Sequence, residues 1–282
     1  MTHIQAAPHS VDIGGHHVAY RTGGDPANPP VILIHGWLLH SRSWRSVMPA
    51  LEAAHYCIAL DLPGFADSAK PRERRVYTIA AYARTVLALA DLLGLSRFAL
   101  AGHSMGGQIA LHLASSLAPD RVTRLVAVAP AVTGRLAAFI RMVTVPQMAV
   151  GHVMPFAVPP TAALFRHPRI APIMFGSWFN RAPPFETWQE DVLRATQPDI
   201  VTPAFWSALS IKSTDLTPRL KDVKAPVLFI AGRNDRVVSV SESVRAAEHV
   251  PGARLEIFED CGHFPFLEYP EKFNALIRSF LA

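Results

Sequence analysis

The chain has 282 residues, half of them hydrophobic and 17% charged, which excludes intrinsic disorder and favours a large buried core. Its net charge of +5 comes from 27 basic against 22 acidic residues, a mild excess. The densest basic run, Lys70 to Arg75, is broken by Pro71 and Glu73 and has no aromatic platform or nucleic-acid motif beside it, so no nucleic-acid partner is expected. Two cysteines, Cys57 and Cys261, make neither a disulfide framework nor a metal-ligand pattern, and neither a metal nor a cofactor is expected.

The stretch from Met1 to Ser10 lacks the basic start and apolar run of a secretory signal, which points to the cytoplasm. Beyond it, short β-rich runs alternate with amphipathic patterns. Strands are predicted at His17–Arg21, Val31–His35, His55–Leu60, Phe98–His103 and Leu125–Val128, with helices near Ser43–Glu52, Ile79–Leu93 and Met105–Leu117. After a long interruption the alternation resumes with a strand at Val227–Ala231, a helix near Ser241–His249, a strand at Arg254–Phe258 and a last helix near Glu271–Leu281. Apolar strands alternating with helices imply an α/β fold: a mostly parallel sheet flanked by helices. The two earliest strands have no helix between them and are candidates for an antiparallel edge.

The interruption, residues 133–213, holds ten of the 24 prolines and many Met, Phe and Trp residues, and it shows no strand-like alternation. It is read as a helical cap inserted into a core made of residues 1–132 and 214–282, with Thr217-Pro218 as the N-cap and first-turn proline that restart the core. Within it, Met142 to Phe165 contains no Asp, Glu, Lys or Arg and is long enough to span a bilayer. Pro146, Pro155, Pro159 and Pro160 would break backbone bonding that lipid cannot restore. Apolar helices buried within the protein are therefore expected, without stable membrane insertion.

Gly102-His103-Ser104-Met105-Gly106 sits where a predicted strand meets a predicted helix, the context that the motif G-x-S-x-G requires. Small residues two before and two after the serine allow strand and helix backbones to approach closely. A serine hydroxyl near neutral pH needs a base. Of 13 histidines, His263 follows the last predicted strand and lies in a loop at the same sheet edge as Ser104. His103 is assigned to packing, and His35 to bracing its own loop. Asp235, just past the strand Val227–Ala231, is the acid that would orient His263, whereas Asp61 and Asp67 read as loop-bracing residues. The backbone N–H groups of Met105 and Trp37 are the expected oxyanion donors.

With these residues in the order Ser104, Asp235, His263, the chain resembles the α/β-hydrolase family, in its capped serine esterase and lipase-like branch. The resemblance carries Ser104, Asp235 and His263 over as a catalytic triad and Trp37 and Met105 as the oxyanion hole. It covers nearly the whole chain except the cap. Gly64-Phe65-Ala66-Asp67-Ser68 is similar to the family's loop after the fourth strand, with Ala66 where glycine is common. Ser104 argues against dehalogenases and most epoxide hydrolases, which place aspartate there. Carbon–carbon bond hydrolases of ring-cleavage products usually carry asparagine before the serine and tryptophan after the histidine, where this chain has His103 and Phe264.

The expected activity is hydrolysis of carboxylic esters with short to medium acyl chains, through an acyl-enzyme, on a small-molecule substrate. The alternatives are carbon–carbon bond hydrolysis, a cofactor-free perhydrolase or haloperoxidase reaction, and a ligand-binding protein on a hydrolase scaffold.

Overall fold

A computed structural model describes residues 8–282, apart from 139 and 168. Residues 1–7, part of the stretch read as lacking a secretory signal, lie outside the described residues. The strands are β1 (His9–Ile13), β2 (His16–Gly23), β3 (Pro30–Ile34), β4 (Tyr56–Leu60), β5 (Phe98–His103), β6 (Val122–Val128), β7 (Val227–Gly232) and β8 (Arg254–Phe258). They form one eight-stranded sheet in the order β1-β2-β4-β3-β5-β6-β7-β8. Only the β1–β2 and β2–β4 pairs are antiparallel; every other pair is parallel. The central strands are continuous apolar runs because helices cover both faces, leaving no solvent side that would favour alternation.

The expected antiparallel edge exists, but with different partners. The second predicted strand, now β3, does not pair with β2; it lies between β4 and β5, parallel to both. The edge comes instead from β2 pairing with β4 and with β1. β1 has no sequence-based counterpart: its alternation His9-Ser10-Val11-Asp12-Ile13 is short and mostly polar, and pairing with β2 supplies what it lacks.

The described helices are α1 (Met48–Leu51), α2 (Ile79–Leu92), α3 (Met105–His112), α4 (Val145–Val153), α5 (Val158–Arg166), α6 (Ala171–Gly176), α7 (Gln189–Ala195), α8 (Val201–Ser213), α9 (Val240–His249), α10 (Pro265–Glu268) and α11 (Pro270–Leu281). Local signals explain the best-predicted ones. Thr78 caps α2 by accepting from the Ala81 N–H at 3.1 Å. α11 starts at a proline and buries Phe273, Ile277 and Phe280, at helical spacing along one face. The Thr217 expectation is off by one: Leu216 is the N-cap, and Thr217–Asp222 is a short 3-10 turn.

Helices α4 to α8 are inserted between β6 and β7. The expectation that the apolar stretch of this insertion is buried holds only for a few residues, such as Val158 and Ala162. No residue of α4 is buried, and Met142, Val153, Phe156 and Leu164 are exposed. The prolines divide the stretch into short helices, each too small to enclose its own apolar side chains. Among the described residues no helix is long and apolar enough to cross a membrane.

Two helices fasten the insertion to the core: α8, which Ile79 N–H and Gln108 Nε2 reach at Ser210 Oγ and Ile211 O, and α7. Asp191, buried, accepts from Ser43 Oγ at 2.5 Å and from Arg45 Nη2 at 2.7 Å, and lies 3.3 Å from His40 Nε2. Burial alone would raise this carboxyl, but His40 and Arg45 outweigh it and hold it below the usual carboxylate range. On either side of it, Glu190 pairs with Arg42 at 2.9 Å and Arg194 with Asp67 at 3.0 Å.

Candidate active site

Ser104 stands between β5 and α3 with φ 54° and ψ −114°, a conformation that side chains other than glycine rarely adopt. The strain is held from both sides. The Ser104 N–H donates to Val128 O at 2.8 Å, and its carbonyl accepts from the Gln108 N–H at 3.1 Å. A Cβ on Gly102 would come within 2.2 Å of Gly106 O, and one on Gly106 within 2.2 Å of Ile34 O. Both glycines are therefore required by backbone contact, as their spacing around the serine suggests. Met105 is the first residue of α3, so its N–H is among those with no acceptor inside the helix.

The facing loop follows β3. His35, fully buried, donates from Nδ1 to Gly36 O at 2.8 Å and accepts the Leu62 N–H at Nε2 at 3.0 Å, which fixes one neutral tautomer. Burial pulls it down to about 4. Next to it, Trp37 anchors its indole on Ala204 O in α8 at 3.0 Å. Among the described residues its backbone N–H donates to no backbone carbonyl. Asp61 is fully engaged in bracing: one oxygen accepts from the Ser41 N–H at 2.6 Å and the other from the Asp67 N–H at 3.3 Å.

His263 and Asp235 meet on the loops after β8 and β7. The distance from Nδ1 to Asp235 Oδ2 is 2.7 Å, and both side chains are buried. The other oxygen of Asp235 accepts the N–H groups of Val237 and Val238 at 2.7 and 2.9 Å, so the carboxylate is fixed at both ends. The loop of His263 runs close beside the end of β7, where a Cβ on Gly232 would lie 2.0 Å from Gly262 O.

Three residues to which the sequence assigns no part in holding this loop position it. His103, assigned to packing, also donates from Nε2 to His263 O at 2.9 Å, and the two rings lie 4.6 Å apart. Burial, then the neighbouring His263, lowers its basicity well below that of an ordinary histidine, keeping it neutral. Because His103 precedes Ser104, this bond ties the serine elbow directly to the histidine loop. Trp178 O accepts the His263 N–H at 2.9 Å. Glu268 accepts the Gly262 N–H at 2.9 Å with one oxygen and those of Asn180 and Arg181 at 2.9 and 2.8 Å with the other. Neither Trp178 nor Glu268 carries a motif; only the folded chain brings them to the loop.

Beside Leu38 the insertion holds a cavity of about 320 Å³, whose lining does not include Ser104, Asp235, His263, Trp37 or Met105. Leu38, next to Trp37, and Trp178 form its border with the core. The rest is mainly apolar, with Met148, Phe165 and Phe175 among the walls, and Thr144, Gln147, Thr196 and Gln197 as its polar members; among the described residues no charged side chain lines it.

A mostly parallel sheet with a serine elbow after β5 and a helical insertion after β6 is the α/β-hydrolase fold, and the chain belongs to the alpha/beta hydrolase family, whose profile matches residues 29–270. Among its relatives is a pimeloyl-acyl-carrier protein methyl ester esterase of Nitrosomonas europaea, 30% identical over 87% of this chain and 92% of that protein. A 2-hydroxy-6-oxononadienedioate/2-hydroxy-6-oxononatrienedioate hydrolase of Klebsiella pneumoniae is 28% identical over 89% of this chain and 86% of its own. Of solved structures, a membrane phospholipase A described as a bacterial virulence factor superposes with a TM-score of 0.79 at 28% identity, covering 99% of this chain and 86% of that one.

Proposed function

We propose that the protein is a serine esterase that cleaves carboxylic esters of short to medium acyl chains, with residues 133–213 as its cap. The observation that carries this reading is the buried 2.7 Å pair of His263 and Asp235 on the loop bonded to the residue before Ser104. Ser104 Oγ attacks the ester carbonyl while His263 Nε2 takes its proton, Asp235 stabilises the imidazolium that forms, and the N–H groups of Trp37 and Met105 hold the oxyanion. His263 then protonates the departing alkoxide. Water, activated by the same histidine, hydrolyses the acyl-enzyme and restores Ser104.

The cavity reaches the proposed oxyanion loop only through Leu38, the neighbour of Trp37, and its character supports the substrate class. Its volume of about 320 Å³ is at the lower end for ligand pockets, and its uncharged lining suits an apolar acyl group of modest length. A dicarboxylate would find no cation there. The test is a p-nitrophenyl ester series with a ring-cleavage dienoate in parallel. The expected result is highest kcat/KM for short to medium chains and none for Ser104→Ala. Rapid cleavage of the dienoate with no ester turnover would assign the protein to carbon–carbon chemistry instead.

A further inference from the structure

The insertion has an apolar outer surface to which the esterase reading gives no role. The sequence has no acid between Asp120 and Glu186, and residues 133–185 hold five arginines, equal to the net charge of the whole chain. The remainder is therefore balanced. On this basic stretch Val153, Phe156 and Ile173 are 74–77% exposed. Each stands within two residues of one that lines the cavity: Gly151, Val158 and Met174. Val143, Val150 and Met174 line the cavity and are themselves exposed, so it opens to the outside among these side chains. Single exposed apolar residues are ordinary, but a cluster around a pocket mouth marks an interaction surface.

Charge decides what covers it. A second copy meeting this face about a two-fold axis would set the same arginines against each other with no acid of the stretch opposite them. Among the described residues Arg135, Arg141 and Arg169 are exposed and make no ion pair. Of the acids that follow the stretch, Glu186 is exposed with no ion pair among the described residues, whereas Glu190 is engaged with Arg42, Asp191 with Arg45 and Asp199 with Lys70. An anionic lipid surface would take up the apolar side chains and match the arginines at once.

We propose that the outer face of the insertion, centred on Val153, Phe156 and Ile173, docks peripherally on anionic lipid membranes, with the cavity opening toward the lipid. Short helices lying on the interface suffice for this, and none needs to cross it. The docking is independent of the esterase reading, since it is measured by binding rather than turnover.

The full chain would be sedimented with vesicles of phosphatidylglycerol or of phosphatidylcholine, with circular dichroism melting as the folding control. Binding is expected for phosphatidylglycerol, weaker for phosphatidylcholine and weakened by salt. Val153→Glu, Phe156→Glu and Ile173→Glu combined should abolish it in a folded protein. Arg141→Gln and Arg169→Gln should each weaken it about fivefold. No binding to phosphatidylglycerol, or binding that the triple variant retains, would overturn the proposal. A dimer in sedimentation velocity that the triple variant dissolves, without vesicle binding, would assign the face to a second copy instead.

Discussion

Residues held in left-handed backbone conformations show how local sequence and tertiary demand compete. Ala66 has φ 42°, where alanine pays a steric cost that glycine avoids. Ala66→Gly should raise stability by about 0.5–1 kcal/mol, the relief exceeding the added freedom of the unfolded chain. Urea unfolding would show it as a higher midpoint with unchanged ester turnover. Gly106→Ala should act the other way, because its Cβ would lie 2.2 Å from Ile34 O and 2.6 Å from His35 O. A loss of about 3 kcal/mol or more and an inactive elbow are expected. At the proposed triad, Asp235→Asn should lower kcat by about 10⁴-fold, since an amide favours the wrong imidazole tautomer. If Asp235→Asn were near wild type and Asp61→Asn inactive, the acid would be misassigned. The serine and its flanking glycines were legible because a sharp strand–helix turn imposes their spacing locally. His103 was underread because its partner, His263 O, is 160 residues away along the chain.

At the scale of elements, α7, α8 and the histidine loop join the insertion to the core. Asp191 is a buried carboxylate with three partners from the segment after β3, and removing it takes away the acceptor of Ser43 Oγ and the ion-pair partner of Arg45, which keeps only the carbonyls of Arg42 and Thr187. Asp191→Ala is expected to cost about 3 kcal/mol and to expose the insertion to cleavage. Limited proteolysis should then cut within 133–213 before the core; unchanged resistance would show that α7 is not needed for the fastening. The sequence announced a helical insertion through its prolines and its missing strand alternation. It did not announce that α7 docks, because Glu190, Asp191 and Arg194 read as an ordinary solvated face until Arg42, Arg45 and Asp67 are brought opposite them.

For the molecule as a whole, buried ionisable groups set the response to acid. His35 is held neutral down to about 4 against 6.5 when free, and His103 is lowered in the same sense. As pH falls from 6.5 toward 4 the unfolded chain binds protons that the folded one refuses, so folding stability declines across that window. His35 alone accounts for about 3 kcal/mol when the whole shift is traversed. Asp191, whose carboxyl is depressed, keeps its contribution in this range and loses it only below the usual carboxylate values. Thermal midpoints measured from pH 7 to pH 4 should fall steadily; a flat or rising profile would contradict the buried neutral histidines.

By itself the sequence determined the alternation of strands and helices and the serine turn, because each rests on local periodicity or on spacing within a single turn; Asp235 and His263 it offered only as candidates, from their places after predicted strands. Tertiary structure alone decided that β3 lies between β4 and β5, that β1 completes the edge, and that Trp178, Glu268 and His103 hold the His263 loop. It also decided that the charge-free apolar stretch is divided between the cavity wall and the outer surface, since exposure depends on what neighbouring elements cover and not on the hydropathy of the stretch itself.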